Sequence, residues 1–124
     1  MSREMVLIID DDNDFVEEVS EMLSNAGYRI SSAGNHEEAM VEVRKTRPDI
    51  ILLDIKFAGN GIRTAEELGA DNDISDIPLI VVSGHVDEEV IRKLREKVDV
   101  RDVLEKTIIP LEFIASIENN LDGS

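Results

Sequence analysis

The segment Ile50-Ile51-Leu52-Leu53-Asp54 is a run of four apolar residues that stops on a carboxylate. Residues 6–12 have the same form, because VLII is followed there by three aspartates. Continuous apolar runs of this length are typical of strands that helices cover on both faces of a parallel sheet. Since the carboxyl ends of neighbouring parallel strands share one crevice, the acids that end the two runs are expected to meet there.

Strand-like and helix-like segments alternate along the whole chain, which is typical of βαβ units around a parallel sheet. The predicted strands are residues 5–9, 28–33, 50–53, 79–82 and 102–105. Apolar periodicity and capping residues place the helices within residues 12–27, 35–48, 64–68, 87–98 and 110–121. The predicted inner face of the last helix consists of Leu111, Ile114, Ile117 and Leu121. The chain is therefore predicted to form an α/β fold of five βα units.

The composition limits the classes of function. With 124 residues, the chain is expected to be a single domain, residues 1–124, without room for a second module. It contains no cysteine, which excludes disulfides and thiolate metal sites. A formal net charge of −15 disfavours direct binding to nucleic acid or to anionic membranes. No apolar stretch is long enough for a membrane span and no signal peptide precedes the first strand, so a soluble, cytoplasmic protein is expected.

Basic residues are unevenly distributed in this acidic chain. Of the 13 lysines and arginines, six lie close together: Arg92, Lys93, Arg95, Lys97, Arg101 and Lys106. Such a cluster is most often a solvated helix face. It nevertheless makes one region locally basic on an acidic body.

Acidic groups that converge in one crevice repel each other unless a cation is present. The candidate ligand atoms are oxygens, without cysteine or a plausible histidine cluster, which favours Mg²⁺ or Mn²⁺ over zinc or copper. Asp12 is expected to cap the following helix rather than to bind the metal. Because Mg²⁺ usually keeps several waters and recruits a phosphate oxygen, phosphate chemistry is the leading hypothesis from the residues alone.

Two further strand ends contribute polar groups to the same crevice. The fourth predicted strand ends at Ser83, and the fifth ends at Lys106. These two residues would join Asp10, Asp11 and Asp54 at the carboxyl edge of the sheet. A phosphoryl group on Asp54 would be an acyl phosphate, whose formation requires charge neutralisation and in-line positioning more than acid–base catalysis.

In this order and spacing, Asp10-Asp11, Asp54, Ser83 and Lys106 resemble the motif of receiver domains in the two-component response-regulator family, over essentially the whole chain. The resemblance implies a flavodoxin-like (βα)5 fold, with a doubly wound, five-stranded parallel sheet of strand order 2-1-3-4-5 in three α/β/α layers. It also implies that Asp54 is the phosphoacceptor from a sensor histidine kinase or a phosphotransfer protein. Ser83 and Lys106 would then bind the phosphoryl oxygens.

The resemblance further implies a metal site and two modulating residues. Asp10, Asp11, Asp54 and the backbone carbonyl of Lys56 would hold Mg²⁺. The side chains of Lys56 and His85 stand two residues beyond the acceptor and the hydroxyl residue. At those positions in the family, side chains overhang the phosphoryl group and influence its hydrolysis.

The sequence departs from the family's pattern near the site. Thr107 follows Lys106 where the family usually has proline, so a trans peptide bond is expected there. Val103 occupies the position of a common aromatic residue whose rotation reports phosphorylation, and valine has few rotamers and less area to bury. The loop after Asp54, residues 57–61, lacks the family's proline and is one residue shorter, so the backbone near the metal is expected to differ.

The resemblance implies a phosphorylation switch rather than an enzyme, although the chain could assist its own phosphorylation and dephosphorylation. Phosphorylation of Asp54 would change the surface around the fourth helix, fifth strand and fifth helix. Since no output domain is expected, a downstream protein partner would recognise that surface. A homodimer that depends on phosphorylation is a further expectation.

Two alternatives stay open at this stage. A diverged receiver could keep the fold as an interaction module without being phosphorylated, as Val103 and Thr107 suggest. A haloacid-dehalogenase-like phosphatase also combines a nucleophilic aspartate with a strand-end hydroxyl and a lysine. That enzyme would take its nucleophile from Asp10-Asp11-Asp12, and it would leave Asp54 without a role.

Overall fold

Five strands and five helices alternate in the computed structural model, which describes residues 4–56, 61–85, 87–107 and 109–122. The strands are β1 Met5–Ile9, β2 Arg29–Ala33, β3 Ile50–Asp54, β4 Leu79–Ser83 and β5 Val100–Glu105. The helices are α1 Asn13–Asn25, α2 His36–Thr46, α3 Gly61–Ala70, α4 Glu88–Arg95 and α5 Pro110–Asp122. None of these helices combines the length and the apolarity that crossing a membrane requires. Residues 57–60, on which most of the shortened loop falls, lie outside the described residues.

The strands form one parallel sheet in the order β2-β1-β3-β4-β5. Helices α2, α3 and α4 pack on one face, through residues such as Val43, Leu68 and Leu94. Helices α1 and α5 pack on the other face, through residues such as Val19 and Ile117. The interior strands are buried because helices cover both of their faces. The predicted flavodoxin-like, three-layer fold and its strand order are confirmed.

Helix α3 is longer than the sequence pattern indicated. Only residues 64–68 were expected to be helical, whereas the helix covers Gly61–Ala70. The residues that it buries include Gly61, Thr64 and Ala65, which are small or polar. Since helix periodicity is recognised from large apolar residues, this inner face gave a weak signal.

Two elements near the second edge of the sheet differ from the prediction in length. Strand β5 begins at Val100, two residues before the predicted start at Asp102, and its register with β4 is irregular there. Such bulges are common in edge strands. Helix α4 ends at Arg95, before the predicted end at Val98, although Val98 is still buried in the core.

The inner face of α5 is rotated relative to the prediction. Leu111 was predicted to face the core, but it is 80% exposed. Phe113 is buried instead, and its ring centroid lies 6.3 Å from that of Phe15 on α1. Because the aromatic ring removes more apolar area from water than leucine does, the helix turns Phe113 toward the sheet. The other three predicted positions are buried or partly buried.

Candidate functional site

Three carboxylates and one ammonium group meet at the carboxyl edge of the sheet. Asp10 follows β1, Asp54 is the last residue of β3, and Lys106 follows β5. One carboxylate oxygen from each of Asp10, Asp11 and Asp54 lies within 4.8 Å of the other two. Asp10 and Asp54 are buried, whereas Asp11 is exposed. The structure therefore places a half-buried acidic cluster where the strand ends indicated one.

The Asp10 carboxylate has one oxygen with spare bonding capacity. Its Oδ1 accepts a hydrogen bond from the backbone N–H of Asp12 at 2.9 Å. Its Oδ2 is buried and accepts no hydrogen bond from the described residues, although Lys106 Nζ lies 3.1 Å away as an ion-pair partner. A buried carboxylate oxygen without a hydrogen bond is costly, so this atom is well suited to bind a cation.

Lys106 is the cation shared by the cluster. Its Nζ donates a hydrogen bond to Asp10 Oδ1 at 3.2 Å and another to Asp54 Oδ2 at 3.3 Å, and it lies 3.6 Å from Asp12 Oδ2. The ammonium also stands 4.9 Å from the ring centroid of Phe15, which adds a cation–π contact. Asp12 caps α1, as predicted, and so serves both the helix and this ion-pair network.

Phe15 is a site residue that the sequence did not reveal. Its spacing indicated only a core position on α1, and it does pack against Phe113. Its contact with Lys106 joins residues that are far apart in the chain, and no local pattern reports such a contact. The Lys106–Thr107 peptide bond is trans, as expected, because no cis bond occurs among the described residues.

The electrostatics of the site follow from burial and proximity. Burial raises the pKa of Asp10, and the nearby charge of Asp54 raises it further, while hydrogen bonds from Asp12 and Lys106 oppose the change. Burial by itself would lower the pKa of Lys106, but the hydrogen bonds and charges of Asp10 and Asp54 outweigh it and raise that pKa. Lys106 is therefore a stable ammonium group. Its single positive charge does not neutralise the three carboxylates of the cluster.

The two carboxylate oxygens of Asp54 have different partners. Oδ1 accepts a hydrogen bond from the backbone N–H of Lys56 at 3.0 Å, while Oδ2 faces Lys106 Nζ. This arrangement holds the carboxylate in one orientation on a buried strand end. The side chain of Lys56 is exposed, and its effect on a phosphoryl group stays a prediction.

Gly61 holds the start of α3 against the backbone of Asp54. A Cβ atom added to Gly61 would lie 2.0 Å from the carbonyl oxygen of Ile55 and 2.6 Å from that of Asp54. Only glycine allows so close an approach between the two backbones. The sequence marked this glycine as part of a loop, but the contact that makes it necessary is visible only in three dimensions.

Ser83 is buried at the end of β4 and bonds to its own loop. Its hydroxyl donates to the backbone carbonyl of His85 at 2.7 Å, and the backbone N–H of His85 lies 3.3 Å from the same oxygen. The backbone N–H of Lys106 donates to the Ser83 carbonyl at 2.8 Å, which joins this strand end to the lysine. Val103 is partly buried against the core, and His85 is exposed.

A buried histidine links α2 to α3 beside the site. Nδ1 of His36 lies 2.7 Å from the hydroxyl oxygen of Thr64, and Nε2 pairs with the carboxylate of Glu67. Both His36 and Thr64 are buried. The sequence pattern did not single out His36. Its partner Thr64 lies 28 positions away along the chain, and no local pattern identifies such a contact.

The donor set of the cluster fits a hard divalent cation. Its candidate ligands are carboxylate oxygens of Asp10, Asp11 and Asp54, which suit Mg²⁺ or Mn²⁺ better than zinc or copper. The strongest single indication is that three carboxylates share one ammonium, while the buried Asp10 Oδ2 accepts no hydrogen bond from the described residues, so a further cation would reduce the repulsion among them. The contribution of the Lys56 carbonyl stays a prediction.

Comparisons with known proteins agree with this geometry. The response regulator receiver domain family matches residues 6–118. The DNA-binding response regulator MtrA of Mycobacterium tuberculosis is 31% identical over 121 residues, which are 96% of this chain and 51% of MtrA. Protein PilH of Pseudomonas aeruginosa is 29% identical over 119 residues, which are 95% of this chain and 98% of PilH. The signal receiver domain of modulated diguanylate cyclase from Desulfovibrio desulfuricans G20 is 27% identical with a TM-score of 0.85, covering 98% of this chain and 96% of that one.

The parallel sheet and the acidic cluster at its carboxyl edge are the arrangement expected of a receiver domain of two-component signalling. The match over residues 6–118 shows that the chain belongs to the response regulator receiver domain family. It spans about half the length of MtrA and nearly all of PilH. Receiver domains generally bind Mg²⁺ through an acidic cluster and interact with histidine kinases and downstream effectors.

Proposed function

We propose that Asp54 accepts a phosphoryl group from the phosphohistidine of a sensor histidine kinase or a phosphotransfer protein. The observation that carries this proposal is the position of the Asp54 carboxylate, held by the Lys56 N–H at 3.0 Å and by Lys106 Nζ at 3.3 Å beside two more acids. In the transfer, a carboxylate oxygen forms the new P–O bond. The P–N bond breaks, and its electron pair remains on the imidazole nitrogen.

The chain's own residues supply orientation and charge for this step. Lys106 is fixed between Asp10 and Asp54 and would neutralise charge on the transferred group. Asp10, Asp11, Asp54 and the Lys56 carbonyl would hold Mg²⁺, or Mn²⁺ in its place. When bound, the metal supplies positive charge to the phosphoryl oxygens.

Ser83 would connect the phosphorylated state to its loop. In the present structure its hydroxyl donates to the His85 carbonyl, so binding a phosphoryl oxygen requires that hydrogen bond to break. The Ser83 hydroxyl would exchange the His85 carbonyl for a phosphoryl oxygen, because phosphorylation places a charge of about −2 at Asp54 and hydrogen bonds to an anion are stronger than those to a neutral carbonyl. The exposed side chains of Lys56 and His85 would then govern how readily water reaches the phosphoryl group.

The output is proposed to be a change in the surface of α4, β5 and α5, read by a downstream protein partner in the cytoplasm. The chain would act as a phosphoacceptor without turnover of its own, and a homodimer that forms on phosphorylation is a further proposal. Val103 lacks an aromatic ring that could move between exposed and buried positions. The signal would therefore travel mainly through the Ser83–His85 loop.

The identity of the modified residue tests this proposal. After treatment with acetyl phosphate and Mg²⁺, intact mass should increase by one phosphoryl group, and beryllofluoride should shift the amide signals around Ser83 and Lys106. The Asp54→Asn variant should show neither change. Asp76→Asn is the matched control, because Asp76 is an exposed aspartate away from the cluster. Modification that persists in Asp54→Asn, or that does not depend on Mg²⁺, contradicts the proposal.

One alternative has a specific observation in its favour. Val103 and the existing Ser83–His85 hydrogen bond would suit a diverged receiver that binds a partner without phosphorylation. Absence of any modification or spectral change, with identical behaviour of Asp54→Asn, would select this alternative. The phosphatase alternative would require a phosphoryl group trapped on Asp10 and sustained turnover, and the match to receiver domains argues against it.

A further inference from the structure

An apolar groove lies between α3 and α4, away from the acidic cluster. Its floor is formed by Val90 and Leu94 of α4, and its wall by Ile62 of α3, which is 41% exposed. The groove has a volume of about 450 Å³. An added Cβ at Gly69 of α3 would lie 3.1 Å from Val98, a residue that follows α4. The groove can therefore accept a small number of apolar side chains from another molecule.

Basic residues form much of the groove's rim. Its charged lining consists of Glu66, Arg92, Lys93, Glu96 and Lys97. Lys97 pairs with Glu66 across the two helices at 3.1 Å, and Arg92 pairs with Glu89 within α4. Within the described ranges, Lys93 forms no ion pair, although the chain has 28 acids and only 13 lysines and arginines. Three members of the basic cluster noted in the sequence, Arg92, Lys93 and Lys97, thus line this groove.

Both helices that border the groove begin shortly after strand ends at the carboxyl edge of the sheet. Helix α3 starts at Gly61, which contacts the backbone of Asp54 and Ile55. Helix α4 is capped by Asp87, shortly after the loop in which Ser83 bonds to His85. A shift at either contact would change the separation of the two helices, and this route does not require an aromatic residue at position 103.

We propose that the α3–α4 groove docks an amphipathic helix of a partner protein, with apolar anchors flanked by carboxylates. Helix α4 has eight residues, about 12 Å in length, which matches roughly two turns of a docked helix. Carboxylates on the partner would pair with Lys93 and compete for Arg92 and Lys97. Although the chain is acidic overall, distant charges are screened beyond about 8 Å at physiological salt, so the local rim dominates at contact.

A partner of different chemistry fits the groove less well. A second copy of this chain is the other candidate, and the test of self-association below distinguishes it from a separate partner. Nucleic acid would present a dense row of phosphate charges to a chain of net charge −15 and would gain little from an apolar floor. An acidic, amphipathic helix satisfies both the floor and the rim.

The probe for this proposal is a synthetic helical peptide of about 15 residues, long enough to retain some helicity. It carries leucine at positions i, i+4 and i+7 and glutamate on the flanks, and its counterpart carries lysine instead of glutamate. Fluorescence anisotropy should show saturable binding of the glutamate peptide, with amide shifts confined to α3 and α4. Ile62→Glu and Lys93→Glu should each weaken binding roughly tenfold. Val41→Glu, at a 62% exposed site on α2, should leave it unchanged.

Several outcomes would overturn the docking surface. The first is that the lysine peptide binds as tightly as the glutamate peptide, and the second is that both groove variants bind the glutamate peptide as the wild type does. The third is that the peptide shifts amide signals on β5 but not on α3 and α4, and the fourth is that no saturable binding occurs. Self-association that the groove variants abolish would assign the groove to a second copy instead. The coupling to Asp54 rests on the proposed function, and beryllofluoride tests it separately. If the peptide affinity is the same with and without beryllofluoride, only the coupling to Asp54 is contradicted. If Asp54 is phosphorylated normally but the peptide does not bind, only the docking surface is contradicted.

Discussion

Nζ of Lys106 lies 3.3 Å from Oδ2 of Asp54, although the two residues are 52 positions apart in the chain. Strand β4 separates the strands that carry them, so the lysine side chain reaches across one strand end to the carboxylate. The same ammonium binds Asp10 and lies over the ring of Phe15. One cation therefore sets the charge balance of the whole cluster.

Replacing Lys106 by methionine should destabilise the fold and impair phosphorylation. The substitution keeps an unbranched side chain over Phe15 but leaves Asp10 and Asp54 without their shared cation. We expect a loss of about 1 to 3 kcal/mol in the free energy of unfolding, and slower modification of Asp54 by acetyl phosphate. Urea denaturation and mass spectrometry measure the two effects, with Lys45→Met on the exposed face of α2 as the control. A variant with wild-type stability and rate would contradict this role.

The pKa of Asp10, raised by burial above its ordinary value of 3.8, predicts a pH dependence of stability. A carboxyl that binds protons more strongly when folded favours the folded state at low pH. This contribution is present below pH 3.8 and is lost as the pH rises through the higher folded-state pKa. In the presence of a chelator, the free energy of unfolding should therefore fall less in Asp10→Asn than in the wild type as the pH rises through this window, because asparagine does not titrate.

The Asp10→Asn variant should also be more stable than the wild type near neutral pH when divalent cations are removed. Denaturant unfolding at a series of pH values measures both effects. Asp76→Asn should keep the wild-type profile, since Asp76 is exposed and outside the cluster. An unchanged profile in Asp10→Asn would show that this carboxyl does not carry the dependence.

Gly61→Ala should disturb both the fold and the phosphoacceptor. The new Cβ would lie 2.0 Å from the Ile55 carbonyl oxygen, so α3 or the end of β3 must move. We expect a loss of about 1 to 3 kcal/mol or more in unfolding free energy, with shifted amide signals at Asp54 and Lys56. Gly84→Ala is the matched control, because nothing lies within 4 Å of a Cβ there. Similar behaviour of the two variants would refute the proposed contact.

His36→Ala should destabilise the fold by about 2 to 4 kcal/mol, since it removes a buried ring and leaves the Thr64 hydroxyl without its partner. Thr64→Val removes that hydroxyl at nearly constant volume and should be less harmful. If the two side chains are coupled, the double variant should lose less stability than the sum of the single losses. Chemical denaturation of the three variants measures this coupling, and strict additivity would exclude it.

The order of elements and the ends of the strands could be predicted because they depend on local patterns. Apolar runs identified β1 and β3, and their final acids identified Asp10 and Asp54. The apolar pattern of α3 is weaker because its buried face consists largely of small and polar residues, and the predicted helix was therefore shorter than the observed one. In α5, the apolar residues are compatible with more than one buried face. Phe113 is buried in place of Leu111 because its ring packs beside Phe15.

The sequence by itself determined that acids, a hydroxyl and a lysine stand at strand ends, because strand periodicity and chain order are local properties. Only the tertiary structure decided which Asp10 oxygen is buried without a hydrogen bond, which cation the carboxylates share, and why Gly61 must lack a side chain. It also decided that α3 and α4 leave a groove between them. These properties depend on distances between residues remote in the chain, and burial and electrostatic interaction act through space.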